Sequence, residues 1–129
     1  MRVGQLMIWL LVGLGGALGS VARHGLNHVI QQRNMAGTFP LGIFLINVLG
    51  SAAIGVFAGF VASGRFAASH QVRTFVIVGI LGGFTTFSSF SFDTLALIRA
   101  GRLEAALLNA VGQVALSLVA VWIGYRLAS

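Results

Sequence analysis

Gly82-Gly83-Phe84-Thr85-Thr86-Phe87-Ser88-Ser89-Phe90-Ser91 stands inside an otherwise apolar run that extends from Phe75 to Ile98. Such a run suits a helix crossing the hydrocarbon core of a bilayer, which takes about 20 mostly apolar residues. Two adjacent glycines and five hydroxyls halfway along it are therefore out of place. Two arrangements accommodate them. In an unbroken helix the hydroxyls bond back to carbonyls one turn earlier. In an interrupted helix the glycine pair weakens the structure, and the freed carbonyls must be satisfied by protein, water or an ion. The glycine pair favours the second arrangement, which offers carbonyls to a hard cation and a half-helix N-terminus to an anion.

Three further stretches qualify as spans. Together the four cover about 6–29, 40–62, 75–98 and 103–127 of the 129 residues, so the chain reads as one all-α, four-span integral membrane domain. Composition agrees: 57% of residues are apolar, 8% are charged and the mean hydropathy is +0.97, whereas a soluble domain has about a quarter charged residues. The 18 glycines follow no G-X-Y period and only one proline occurs, which excludes collagen-like and disordered classes. The absence of cysteine excludes disulfides, zinc–thiolate sites and thiol nucleophiles. Trp9, Trp122 and Tyr125 fall near span ends, where amphipathic rings favour the headgroup level. Met1-Arg2, the apolar run and Gly19-Ser20 have the outline of a signal peptide. The run continues into Arg23-His24, however, and the three later spans would hold the chain in the membrane in any case.

The net charge of +6 comes from eight arginines set against Asp93 and Glu104. They form no basic stripe, so nucleic acid is not the expected partner. With four spans, Arg2, Arg65, Arg73 and Arg126 share one side of the membrane. Arg33, Arg99 and Arg102 take the other, with Arg23 near the end of its helix, making four against three or four. Arginine asymmetry in short loops sets orientation, so this chain carries almost no instruction about which way to insert. Dual topology is the expectation. A single four-helix chain cannot readily enclose a pore, and the simplest closed assembly of oppositely inserted copies is an antiparallel two-fold homodimer. Gly15/Gly19, Gly55/Gly59 and Gly79/Gly83, each at four-residue spacing, permit close helix approach.

Polar residues inside the spans are the candidate functional groups. Asn47 lies midway along the second span and reads either as glue between helices or as a ligand. Asn109, Gln113 and Ser117 recur every four residues in the fourth span. That row reads as an ion-lined face or as a hydrogen-bonded seam. Phe87 and Phe90 share a face if the helix resumes there, and aromatic ring edges carry the positive end of the quadrupole. Arg23, His24 and His28 suggest a headgroup-level cluster or an anion-attracting vestibule. Asp93 is an acid within the third span, able to pair with an arginine or to cap a local break. No serine has a histidine at workable spacing, so an enzyme is not expected.

Taken together, Gly82-Gly83-Phe84-Thr85-Thr86-Phe87-Ser88-Ser89-Phe90 resembles the GGxTTFSTF signature of the bacterial fluoride channel family, the Fluc or CrcB proteins. Gly15-Gly16-Ala17-Leu18-Gly19 to Arg23 is similar to the first-helix motif of that family, and Pro40-Leu41-Gly42 to Asn47 and Gly50 to its GTLxxNxxG motif. The resemblance covers essentially the whole chain. It implies a fluoride-selective passive channel in the cell inner membrane, formed by an antiparallel dual-topology homodimer with the third helix broken at mid-membrane. By motif position it implies an anion pathway along Phe87, Phe90, Asn47, Asn109, Gln113 and Ser117, and a structural, non-transported Na+ held by backbone carbonyls at Gly82 and Thr85. The chain departs from the family pattern at Ile43, where threonine is usual, at Ser89, where a second threonine is usual, and at Asp93, where glutamate is frequent. Its fourth-span row is amide-rich where hydroxyls are common.

Two other functions fit a short four-span chain. A proton-coupled small multidrug exporter requires an embedded carboxylate in its binding chamber, typically in the first span, and this first span has none. A non-transporting scaffold subunit would use the glycines and the polar row only as helix contacts.

Overall fold

The computed structural model describes residues 2–34 and 37–129, and among them all regular structure is helical. Four helices are long and apolar enough to cross a membrane. They are Val3–Gln32 (α1), Leu41–Ala62 (α2), His70–Arg99, itself made of two pieces, 70–84 (α3) and Phe87–Arg99 (α4), and Leu103–Ala128 (α5). Each of the three connections reverses at one glycine in the left-handed region, Gly37, Gly64 or Gly101, with φ from +70° to +74°. At the start of α3 the Ser69 hydroxyl accepts from the Val72 N–H at 3.3 Å, satisfying one of the orphan donors of the helix. The third span thus begins at His70 rather than near 75, and α1 runs on to Gln32, well past Arg23.

Glycine decides which helices touch. A Cβ at Gly15 of α1 would stand 2.8 Å from the Phe75 carbonyl oxygen and 2.9 Å from Gly79 Cα, and one at Gly19 would collide with the Ile80 carbonyl. On α3, Gly83 meets Gly16 in the same way, with a Cβ only 2.5 Å from its carbonyl oxygen. A second seam joins α2 to α5, where Gly55 and Gly59 face the backbone of Val121 and Tyr125, and Gly124 faces that of Ala52. Residue numbers rise together along both seams, so spans one and three run parallel, as do spans two and four. Lipid tails are as apolar as leucine, which leaves close backbone packing through small residues as the force that pairs such helices. The outward faces carry large apolar side chains, with Leu14, Val21 and Leu118 all exposed.

The third span leaves helical geometry later than its glycines suggest. Gly82 and Gly83 are helical; the extended residues are Thr85 (φ −81°, ψ 158°) and Thr86 (φ −156°, ψ 118°). Packing is the reason, since Gly83 is needed for contact with α1. Thr86 makes the better stop because its hydroxyl accepts from the Ser89 N–H at 3.2 Å and caps α4. Two segments are π-helical, Thr74–Leu81 in α3 and Leu108–Gly112 in α5. A π turn holds more residues than an α turn and so changes which side chains share a face.

Candidate functional site at the helix interruption

Leaving the helix strips the backbone of Thr86 of its ladder partners, and one amide replaces both. The Thr86 N–H donates to Asn47 Oδ1 at 2.7 Å, and Asn47 Nδ2 donates to the Thr86 carbonyl at 3.0 Å. Gly50, one turn further along α2, leaves room for the interruption, since a Cβ there would collide with the Thr85 methyl and lie 3.3 Å from the Phe84 ring. From α1, Ser20 Oγ donates to the Gly83 carbonyl at 3.4 Å and Arg23 Nη1 to the Thr85 carbonyl at 3.3 Å. Arg23 is half-buried against the interruption and brings a fixed positive charge to it.

The hydrogen bonds continue away from Asn47. Its Nδ2 also donates to Gln113 Oε1. Gln113 Nε2 donates to Asn109 Oδ1 at 3.1 Å, Asn109 Nδ2 to Thr94 Oγ1 at 2.9 Å, and the Thr94 hydroxyl to the Phe90 carbonyl at 2.8 Å. Among the described residues no buried side-chain nitrogen or oxygen lacks a partner. This accounts for polar groups at membrane depth, each of which would otherwise carry an unsatisfied desolvation cost of several kcal/mol, roughly, in hydrocarbon.

Beside this chain of amides lies an open cavity of about 370 Å³. Asn47, Gln113 and Ser117 line it together with Thr85, Thr86, Phe87 and Phe90. The two rings sit 5.2 Å apart between centroids with their planes inclined at 45°. Phe87 is 75% exposed, while Phe90 is half-buried. Of the six pathway residues expected from the sequence, five meet at this cavity and Asn109 does not. Asn109 is fully buried, at 0% exposure. It lies in the π-helical turn Leu108–Gly112, one turn before the α5 residues that line the cavity, and meets Gln113 by a hydrogen bond.

The carbonyls at Gly82 and Thr85 differ in availability. In a continuous helix the Gly82 carbonyl would accept from the Thr86 N–H, but that donor is held by Asn47, and Gly82 is exposed. The Thr85 carbonyl accepts from Arg23, which engages one of its two lone pairs and leaves the other. Both are hard oxygen donors, of the kind that suits a hard cation rather than a soft one. Among the described residues no group of three His, Asp or Glu side chains gathers to hold a metal. His28 pairs with Gln32 at 2.9 Å instead.

Sequence reasoning missed Thr94 and the bonds made by the Thr86 backbone. Thr94 offers one faint signal, a hydroxyl residue one helical turn after Phe90. Nothing in the linear order places it opposite Asn109.

Residues 10–125 match the family described as CrcB-like protein, Camphor Resistance (CrcB). The chain is 52% identical over 121 residues to the fluoride-specific ion channel FluC of Paramagnetospirillum magneticum, across 93% of this chain and 94% of that one. It is 49% identical over 119 residues to the protein of the same name from Opitutus terrae, across 92% and 89% of the two chains. A FluC protein of Thermus thermophilus is 48% identical over 119 residues, across 92% and 93%.

Proposed function

Since the chain belongs to the CrcB-like family, we propose that it is a fluoride-selective passive ion channel, a multi-pass protein of the bacterial inner membrane and not an enzyme. The observation that carries this reading is the cavity beside the helix interruption, whose lining brings amide and hydroxyl side chains together with phenylalanine rings. Fluoride is strongly hydrated, and a dehydrating anion needs donors in sequence. Gln113 and Ser117 are donors that line the cavity, with Asn109 bonded behind Gln113 and Asn47 held beside it by the Thr86 carbonyl and Gln113. Phe87 and Phe90 line the same cavity, and in this reading their ring edges, the positive end of the aromatic quadrupole, meet the anion. Donors this few replace part of the hydration shell without trapping the ion.

Hydrogen fluoride is a weak acid that crosses membranes uncharged and dissociates in a less acidic cytoplasm. A passive pore then lowers internal fluoride, because a negative interior acts on one charge with roughly 2.3 kcal/mol per 100 mV, about 50-fold in concentration at equilibrium. Chloride must be excluded, since leakage of the abundant anion would collapse that potential.

The working assembly in this reading is an antiparallel homodimer of oppositely inserted copies. The balanced arginines support it, as do Phe87 and Phe92, which are 75% and 71% exposed on the segment after the interruption. The carbonyls at Gly82 and Thr85 from two such copies would supply four oxygens to a structural sodium ion on the two-fold axis. The ion would neutralise these carbonyl dipoles and bind the two interruptions together.

Purified protein in proteoliposomes, with potassium flux short-circuited by an ionophore, tests the channel with a fluoride-selective electrode. Rapid fluoride release without comparable chloride release is expected, and equal release of both would overturn the selectivity. The same trace after long dialysis into a large organic cation should show reduced flux if sodium is structural. For topology, reporters fused after Ser129 should signal from both sides of the membrane. Two or three lysines added there should drive the population one way, whereas a single wild-type orientation would refute the antiparallel dimer.

A further inference from the structure

The hydrogen bonds around the cavity close into a loop that begins and ends on the same span. Its first member is the Thr86 backbone N–H, a donor that cannot accept. Its last is the Phe90 carbonyl, an acceptor that cannot donate. Between them lie three carboxamides and one hydroxyl, all of which could reverse if they stood alone. The two fixed ends forbid that. Because the Thr86 N–H requires an oxygen, Asn47 must present Oδ1 to it, which turns Nδ2 toward Gln113 Oε1. Gln113 must then direct Nε2 to Asn109 Oδ1, and Asn109 its Nδ2 to Thr94. The Thr94 hydroxyl gives its one hydrogen to Phe90, so toward Asn109 it can only accept.

The loop therefore has one direction, and that direction decides which amide hydrogens remain for a ligand. Both hydrogens on Asn47 Nδ2 are engaged, one by the Thr86 carbonyl and one by Gln113. On Gln113, which lines the cavity, one amide hydrogen goes to Asn109 and the second lies outside the loop. Reversing the amide would exchange that hydrogen for a carbonyl oxygen, which repels anions.

We propose that Thr94 is a positioning residue: through Asn109 it locks the Gln113 amide with its spare N–H, rather than its oxygen, available at the cavity. Asn47 in this arrangement ties the interruption to α2, and Gln113 is the amide that meets the anion. The proposal rests on the channel reading, and the two fail separately. If wild-type protein passes no fluoride, the channel reading falls; if wild type conducts and the Thr94 variants behave otherwise than stated, only the positioning role falls.

The test compares Thr94→Val, which keeps shape and removes the hydroxyl, with Thr94→Ser, which keeps the hydroxyl. Both are reconstituted after size exclusion confirms the same assembly as wild type, and fluoride flux is measured per folded channel. Thr94→Val should lose at least fivefold and Thr94→Ser should stay within twofold of wild type. A merely structural threonine would lower yield or melting temperature without changing flux per folded channel. Asn109→Leu cuts the same link from the other side and carries the test should Thr94→Val not fold. Where both fold, the double variant should be no slower than the worse single, since one link can be cut only once. Wild-type flux in Thr94→Val, an equal loss in Thr94→Ser, or independent effects that multiply in the double variant would each overturn the proposal.

Discussion

The two halves of the third span are held in place by different physics. α3 lies against α1 chiefly through bare backbone, with Gly15, Gly19, Gly79 and Gly83 bringing main chains into contact and the Ser20 hydroxyl adding one bond to the Gly83 carbonyl. α4 meets its neighbours through hydrogen bonds at its capping residue Thr86, which pairs with Asn47, and at Thr94, which accepts from Asn109, and leaves Phe87 and Phe92 largely exposed. The first half tolerates no added atom. The second is tied at a few polar points, and its aromatic face remains available. A membrane protein gains little from pressing apolar surfaces together, so it uses shape where it needs rigidity and polar bonds where it needs a site.

The largest expected effect breaks the rigid half. Gly19→Ala places a methyl into the Ile80 carbonyl and next to the Phe84 nitrogen, both of them backbone atoms that cannot step aside. It should destabilise the protein by about 3 kcal/mol, the upper range for overpacking a filled contact, read as a lower melting temperature in detergent and loss of the assembled peak on size exclusion. The matched control is Gly13→Ala on the same helix, where nothing lies within 4 Å of the new methyl. It should be neutral or stabilising by up to about 1 kcal/mol through helix propensity. Equal stability of the two variants would show that the glycine seam does not hold the halves apart in character.

A smaller effect sharpens the contrast on the other side. Phe87→Ile and Phe90→Ile keep apolar bulk but remove the polarised ring edges. Each should reduce fluoride flux at least tenfold, a barrier change of about 1.4 kcal/mol, with assembly unchanged on size exclusion. Phe57→Ile, which disturbs an edge-on contact with Phe66 at 6.0 Å away from the cavity, should stay within about twofold, a change of roughly 0.4 kcal/mol. Should both α4 variants conduct like wild type, the rings are packing residues and the anion follows the amide wall alone.

Much of this was legible in the linear order. Four apolar runs predict four spans because partitioning into lipid depends on a sum of side-chain hydropathies over a window, a property of sequence alone. The hydroxyl-rich segment within the third run marked the neighbourhood of the site, and Asn47, Phe87, Phe90, Gln113 and Ser117 do converge on one cavity. The glycine spacing announced close approach, and its motif alignment reached the family that residues 10–125 match.

Tertiary structure alone decided where the helix stops and what each polar group does. The glycine pair looked like the weak point, yet Gly83 is held helical by α1, and the chain departs at Thr85 and Thr86 because Asn47, 39 residues away, takes over the Thr86 backbone. Asn109 lies buried behind the cavity wall, and Gln113 gained its orientation from Asn47, 66 residues distant, and from Thr94 through Asn109. Hydropathy records how strongly a residue prefers lipid, one residue at a time. A hydrogen bond depends on which donor finds which acceptor across helices, and that pairing exists only once the backbones have come together.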